Sequence, residues 1–545
     1  MAFFPAKTRR DRFFVLSGVV FSRAALHPSC NQVAALSQPP APPSCAPRPR
    51  HLWPVALAAL PLWLAGCAVG PDYRRPEAPA VDRYTAVALP AATATADTAG
   101  GDAQRFLAGH DVPARWWATF GNAELDRRVQ QALAHSPTIA SARAALRQAQ
   151  ENARAAGGGR FPSVDAGVGA TRETQSAATS RVPGGAGPFT LYNASVSVGY
   201  TLDLFGGVRR GIEAQQAQAD YQQALLDSTY LVLAGNVVTA SLQEASLRAQ
   251  LHATEQIVDT QRTTLGIAEK QQRIGARSLA DTLAVRAQLA ATEAALPPLR
   301  AQLAAVRNRL ATYLGTPPAR LDAAPLALDD VRLPADIPVS LPSRLVDQRP
   351  DIRAASALLH AASAQVGVAT AAMLPQLTLS GSAGSQALAA GDLFSAGTGA
   401  WSVGLGLTQP LFHGGALLHR KRAAQAGMDK AAADWQQTVL AAFQNVADAL
   451  QALQYDAQTL AAQANAEQAA AQRLELTRAQ YRIGATNYLN LLDAERSEQQ
   501  ARIGLIQARA ARLSDTAALY TALGGGWRDG TPAAATTSSP SPVSR

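Results

Sequence analysis

Two hydrophobic periods alternate along the chain. Leu226, Tyr230, Leu233, Val237, Ala240, Leu247 and Leu251 recur in a 4-3 rhythm that only Glu244 breaks. Trp435, Val439, Ala442, Val446, Ala449, Leu453 and Leu460 repeat the rhythm, broken at Asp456. A sustained 3.5-residue repeat predicts coiled-coil packing. After Gly207 no proline occurs until Pro297, and after Gly415 none until Pro532. A helix from Gly207 to about Gln271 would run ~95 Å at 1.5 Å per residue. Gly275 and Gly484 then turn the chain, since glycine accepts backbone angles other residues avoid. The pattern predicts two long antiparallel helical hairpins, with tips at Gly275–Ala284 and Gly484–Asp493.

The second period is two. Val164, Ala166, Val168 and Ala170 alternate with Asp165, Gly167 and Gly169. Tyr192, Ala194, Val196, Val198, Tyr200 and Leu202 alternate with Asn193, Ser195, Ser197, Gly199 and Thr201. Leu377 and Leu379, then Trp401, Val403, Leu405 and Leu407, alternate with Gly, Ser and Thr. Strands of about ten residues, apolar on one face and polar on the other, fit a transmembrane β-barrel. A half-solvated soluble sheet alternates in the same way. Here, however, aromatic residues stand near the strand ends and the polar face has no apolar partner. Four strands cannot close a barrel, and lipid tolerates no open edge. The chain is therefore expected to oligomerise, and a trimer with twelve strands would enclose a lumen.

The pattern is written twice. Arg273-Ile274-Gly275-Ala276 recurs as Arg482-Ile483-Gly484-Ala485, and Asn236-Val237 as Asn445-Val446, each 209 residues on. Pro137 and Pro162 recur as Pro350 and Pro375, 213 residues on. Leu204-Phe205-Gly206-Gly207 recurs as Leu411-Phe412-His413-Gly414-Gly415, and these glycines mark the expected strand-to-helix junctions. The expected organisation is a 1–66 signal region, a 67–121 lipid-anchored segment, a first repeat at 122–315, an equatorial linker at 316–340, a second repeat at 341–525 and a loose tail at 526–545.

Composition agrees with thin helical architecture: 48% hydrophobic, 16% charged and 6% aromatic. No uninterrupted apolar run of about 20 residues argues for a helical transporter. The net charge is +9, but Lys7, Arg9, Arg10, Arg12, Arg23, Arg48 and Arg50 against Asp11 put +6 of it in the first 66 residues. No basic footprint for nucleic acid remains. Arg48, Arg50 and His51 precede an apolar stretch, Leu52–Leu64, which ends in Leu64-Ala65-Gly66-Cys67. This reads as a secretory signal whose ending looks like a bacterial lipobox, with Cys67 as the acylated residue. A 66-residue leader is long, so Met1 is expected to be a misassigned start, the true one lying nearer Val33 or Leu36. Cys30 and Cys45 would leave with the leader, so no disulfide is expected. Ala68 after the cysteine resembles outer-membrane delivery.

Cys67-Ala68-Val69-Gly70-Pro71-Asp72-Tyr73-Arg74-Arg75-Pro76, Trp116-Trp117 with Phe120, Arg349-Pro350-Asp351-Ile352-Arg353-Ala354-Ala355, Pro375 and Tyr481-Arg482-Ile483-Gly484-Ala485 together resemble the outer-membrane efflux protein (TolC-type) family, in its lipoprotein branch. The resemblance covers residues 67–525. Ser356 and His135 depart from it, standing where relatives often carry Glu and Asn. It implies an α+β membrane protein: a homotrimer whose 12-stranded β-barrel, four strands per chain, continues as a 12-helix periplasmic coiled-coil tunnel. It implies docking to a periplasmic adaptor protein and an inner-membrane pump, proton-driven rather than ATP-driven, with the substrate chosen by those partners. Covalent lipid on Cys67 is the only added group expected, alongside contact with outer-membrane lipid.

The resemblance also places a gate at the hairpin tips. Asp281 and Asn490 each stand six residues past a tip glycine, and Asp493 lies three beyond Asn490 on the same helix face. Threefold symmetry would turn each acidic residue into a ring that favours cations. Solvated helix-start positions are the plainer reading of Asp281 and Asp493. The resemblance suggests a bond from Tyr481 to Asp281. Position 486 is Thr where some relatives carry Arg. No catalytic site is expected: the chain holds no G-x-x-x-x-G-K-[ST], H-E-x-x-H or G-x-S-x-G. No metal site is expected either, His413 and His419 being the closest histidine pair of the mature chain. Gly157-Gly158-Gly159 follows a helix and reads as a turn. Two rival classes are an outer-membrane conduit of a type I protein secretion system and a coiled-coil surface protein without a pore.

Overall fold

The computed structural model describes residues 68–175 and 186–525; the leader, Cys67 and the tail from 526 lie outside the described residues. In chain order the elements are β1 (Arg105–Ala108), α1 (Ala123–His135), α2 (Pro137–Gly157), β2 (Ser163–Gln175), β3 (Ala186–Leu202), α3 (Gly207–Arg273) and α4 (Leu279–Tyr313). They continue with β4 (Asp336–Val339), α5 (Pro342–Gln348), α6 (Pro350–Ala371), β5 (Gln376–Ala387), β6 (Gly399–Thr408), α7 (Ala416–Arg482) and α8 (Tyr488–Ala522). Helices α3 and α7 have 67 residues each, and α4 and α8 have 35 each. Each member of the second hairpin begins 209 residues after its counterpart, Gly207 to Ala416 and Leu279 to Tyr488. At 1.5 Å per residue the long helices extend roughly 100 Å. Part of α3 is long and apolar enough to cross a bilayer by composition, but over half of that part is buried inside the chain.

Local chemistry sets the ends. Pro137 and Pro350 stand at the first positions of α2 and α6, where a missing N–H costs nothing. Pro297 and Pro298 lie inside α4. They withhold the donors that the carbonyls of Glu293 and Ala294 would otherwise receive, yet the helix continues past them. Their counterparts in α8, Ile506 and Gln507, keep the full ladder.

The four long strands form one antiparallel sheet in the order β2-β3-β5-β6, and a second sheet pairs β1 with β4 in parallel, Phe106 opposite Ile337. The β1/β4 pair joins the segment before the first repeat to the segment between the repeats. A cluster of Trp116, Phe120, Leu125, Ile139, Leu314, Leu326, Ile337, Trp435 and Tyr520 fills the waist beside it. Trp116 packs 5.4 Å from Tyr520.

The first break in the 4-3 rhythm fastens this waist, and the second lies beside a buried arginine. Glu244 is 1% exposed and meets Arg128 at 2.9 Å, Arg248 at 2.6 Å and Arg307 at 3.7 Å. Arg128, fully buried, also donates to Glu124 at 2.9 Å, Ser241 at 3.2 Å and the Ala324 carbonyl at 2.5 Å. One cluster thus ties α1, α3, α4 and the inter-repeat segment. On the other hairpin, buried Arg512 donates to the carbonyls of Gly100 and Asp102 and to the Thr93 hydroxyl. Asp456 of α7 lies against Asp515 of α8 beside it. Burial first, and then the Asp515 carboxyl, push the Asp456 carboxyl up to about 7.

Replacing Glu244 with Leu leaves Arg128 buried with Glu124 as its one carboxylate. We expect a loss of about 3 kcal/mol, measured as a lower temperature of helix melting and oligomer dissociation; unchanged melting would contradict the cluster's role. Asp456 has a raised folded pKa, so the folded chain holds this proton more tightly than the unfolded one. Its stabilising contribution is complete below about 3.8 and is lost as pH rises towards about 7. Asp456→Asn should therefore flatten the fall in melting temperature across that window and melt higher than the parent at pH 8. An unaltered pH profile would contradict this.

Candidate functional site

Three regions carry the features singled out in the sequence: the strand faces, the strand-to-helix junctions and the hairpin tips. The strand register places the apolar residues of all four strands on one face. Val164 pairs with Val198, Ala166 with Val196, Tyr200 with Leu379, Leu202 with Leu377, Leu377 with Leu407, Leu379 with Leu405 and Ala383 with Trp401. The other face aligns Asp165 with Ser197, Gly199 with Ser380, and Ser382 with Ser402, whose hydroxyls bond at 2.8 Å. Trp401 is 80% exposed and Val168 83%, as lipid-facing residues are when no lipid is counted. β2 and β6 each have a neighbour on one side only.

At the first junction Gly206 caps α3 with φ of 78°, and a side chain on it would meet Ala68 at 2.7 Å. Gly207 approaches Ala371, where a Cβ would stand 3.1 Å from that methyl. The equivalent cap of α7 is Gly415 at 82°, preceded by Gly414 at 57°, with open space around Gly414. Residues 68–73 account for the crowding at Gly206. The Val69 N–H donates to the Phe205 carbonyl at 3.0 Å, Asp72 meets Arg210 at 2.5 Å, and Tyr73 stacks 4.4 Å from His360. The Tyr73 hydroxyl bonds Ser356 at 2.6 Å. The segment following Cys67 is thus laid into the angle where strand becomes helix.

The Arg-Pro-Asp-Ile segment is also structural. Arg349 meets Asp351 at 2.7 Å and donates to the carbonyl of Ala522 at 2.9 Å, closing the last turn of α8 against the start of α6.

At the tips Gly275 and Gly484 take φ of 77° and 76°. The returns are alike: Ala276 N–H donates to the Gln271 carbonyl at 2.8 Å, and Ala485 N–H to the Gln480 carbonyl at 2.9 Å. Ser278 caps α4, accepting from the Asp281 N–H at 3.0 Å and donating to the Asp281 carboxylate at 2.7 Å. Asn487 caps α8, accepting from the Asn490 N–H at 2.9 Å, and the Asn490 amide donates to Thr486 at 2.9 Å. Asp493 pairs with Arg473 at 2.5 Å, both exposed.

The bond expected from Tyr481 to Asp281 is not formed within the chain. Asp281 is occupied in capping its own helix, a local interaction that forms whenever the helix does. The Tyr481 hydroxyl receives its hydrogen bond from Arg277 instead. The Arg277 guanidinium lies 4.4 Å from the ring centre of Tyr488 and 5.7 Å from that of Tyr481, and the two rings are 5.6 Å apart. Burial pushes the Tyr488 phenol above its ordinary range. Beneath it, Ala268, Val285, Leu474, Tyr488, Leu491 and Ala494 make a small core drawn from all four long helices. Arg277 was missed in the sequence, although the 209-residue repeat marks it: it is the counterpart of Thr486.

Residues 128–316 and 341–525 each match the outer membrane efflux protein family. The chain belongs to this family. The family pattern occurs twice, once per repeat. The chain is 32% identical over 429 residues to the pyoverdine export outer membrane protein OpmQ of Pseudomonas putida, covering 77% of this chain and 89% of that one. It is 31% identical over 480 residues to the probable efflux pump outer membrane protein TtgC of the same species, covering 88% and 96%. The solved outer-membrane channel OprN superposes with a TM-score of 0.74 at 30% identity, covering 85% of this chain and all of that one. The outer membrane efflux protein fold read from the sequence is the fold observed: an α+β outer-membrane channel chain with two internal repeats.

The contacts at the two junctions differ, and so should their tolerance. Gly206→Val meets both a left-handed backbone and the Ala68 backbone and should reduce assembled protein several-fold on a native gel. Gly414→Ala meets only the backbone constraint and should reduce it less. Equal effects would contradict the docking of residues 68–73.

Proposed function

We propose that this chain is the outer-membrane channel of a tripartite efflux assembly, a passive export duct for small molecules, built as a homotrimer. The observation that carries the reading is that the chain is finished on one side and unfinished on the other. Helix α3 packs against both α2 and α6 near the sheet, whereas α7 packs there against α6. Ala214, Ala217, Ala219 and Ala224 of α3 are buried, while α7 has no buried residue before Trp435. Leu411 and Phe412, at the same level, are 92% and 88% exposed. The missing flank of α7 matches the α2 of another copy, just as the bare edge of β6 matches the bare β2. Closing both in a ring of three gives twelve strands, within the range of natural barrels, and a tunnel of twelve helices below it.

The relatives named for pyoverdine export and for an efflux pump support small-molecule transport. A duct needs no reaction of its own, so energy would come from a proton-driven inner-membrane pump joined through a periplasmic adaptor. Acylated Cys67 would lie one residue from Ala68, which touches Gly206 where strand becomes helix. That level is the membrane boundary, where an acyl chain reaches lipid without bending the chain away.

Purified protein should run as a trimer in native mass spectrometry and conduct in planar bilayers; a stable monomer without conductance would overturn the proposal. Labelled palmitate should enter the parent and not Cys67→Ala, which should still give some trimer because the barrel itself holds the membrane. Label retained by the variant would refute the anchor.

A further inference from the structure

Where α8 packs against α3 beside the inter-repeat segment, the chain frames a cavity of about 510 Å³ that the channel reading leaves unused. Its polar groups come from four elements: Arg248 and His252 of α3, Asp329 of the inter-repeat segment, Glu467 of α7, and Arg502 and Arg509 of α8. Ala249, Leu326, Leu328 and Ile506 supply apolar wall. A pocket of this size, with apolar wall and a few convergent polar groups, suits a small organic molecule.

The cations of this cavity are only partly neutralised. Arg248 reaches Glu244 at 2.6 Å, but that carboxylate also serves Arg128 and Arg307. Arg509 pairs with Asp329 and donates to the Leu328 carbonyl at 3.2 Å. The Nε–H groups of Arg248 and Arg509 are both buried without an acceptor. Arg502 donates to the neutral amide of Gln256 at 2.9 Å and has no ion pair among the described residues. Glu467 has no partner among the described residues either. With His252 counted as neutral, three lining arginines face two carboxylates, an excess of one positive charge. Helix packing does not require these cations: 209 residues on, the counterparts of Arg248 and His252 are Ala457 and Ala461.

We infer that this cavity is a binding site for a small organic monoanion with an apolar body. Arg502 and the arginines beside it hold the carboxylate, and the body lies against Leu326, Leu328 and Ile506. Guanidinium and carboxylate suit each other because both partners of the hydrogen bond are charged. Glu467 limits the charge accepted: a second negative group would stand beside an unneutralised carboxylate, so a dianion is refused. The bound monoanion joins α3, α8 and the inter-repeat segment, and braces the waist where the chain alone leaves space. The site is built within one chain and does not depend on the channel reading.

Titration calorimetry on the full chain in lipid nanodiscs, with empty nanodiscs subtracted, tests this. The probes are naphthylacetate, its uncharged amide naphthylacetamide, and the dianion naphthalenedicarboxylate. The monoanion should bind at one site per chain and raise the melting temperature of the protein. The amide and the dianion should each bind roughly tenfold more weakly. Arg502→Gln, which keeps a hydrogen-bonding side chain, should weaken the monoanion by a similar factor. Glu467→Gln should strengthen it about threefold and admit the dianion. Ala249→Phe, which fills the cavity without changing its charge, should abolish binding. Arg154→Gln, at an exposed ion pair on α2, should leave the affinity at the parent value. The Arg502 and Glu467 variants move affinity in opposite directions, which a general loss of structure cannot imitate. No binding of the monoanion to the parent, equal affinity for acid and amide, or parental affinity in both of those variants would each overturn the proposal.

Discussion

Every backbone N–H and C=O in a membrane must find a partner in the protein, because hydrocarbon offers none. The four-stranded sheet meets that demand along β3 and β5 and fails it along the outer edges of β2 and β6. The remaining architecture follows from this unfinished edge. The sheet alternates small polar residues with apolar ones because one face meets lipid and the other a lumen. Glycine and serine dominate the inner face, where bulky side chains would fill the bore. The helices inherit the same incompleteness, since α7 continues from the edge strand and its flank is bare for the same reason.

Below the sheet the demand changes from hydrogen bonding to register. Helices of 67 residues packed side by side slide and splay easily unless something fixes them. The waist provides that with charged groups, one of them at a place where the apolar rhythm breaks. Glu244 draws Arg128, Arg248 and Arg307 together, and Arg512 grips carbonyls of the incoming segment. Such clusters gain little net stability over apolar packing, but they tolerate only one arrangement of partners. The tip core and Arg277 hold the far end. Between waist and tips a small core of Val258, Leu289 and Leu296 and the ion pairs Arg262–Glu293 and Arg300–Glu255 join the helices of the first hairpin, and there Pro297 and Pro298 interrupt the ladder of α4 alone.

Most of the long-range plan was legible in the residues. The 4-3 rhythm and the glycines located both hairpins to within a few residues, because each signal extends over dozens of positions. Strand alternation gave the correct faces, which the register then aligned. The β1/β4 pair was not legible: four residues carry no period, and Phe106 meets Ile337 only through tertiary folding. The tip contact failed for a different reason. Tyr481 to Asp281 came from the family resemblance, while the Ser278-x-x-Asp281 spacing, a local capping signal, already committed that carboxylate elsewhere. Arg277 reaches its aromatic partners across 204 residues of sequence, a distance over which pattern says nothing.

The bare edges also determine how the ring can come together. A lone chain has two unpaired edges, and two chains joined through one seam still have two. Only the third arrival removes them, because it closes two seams in a single step. One of the three seams therefore forms in the dimer and two form on the last addition, so closed rings are favoured over dimers. Assembly of this kind is steeply cooperative. Its yield should depend on the concentration of unassembled chains far more sharply than that of a pairwise complex, and an assembled ring should come apart completely or not at all.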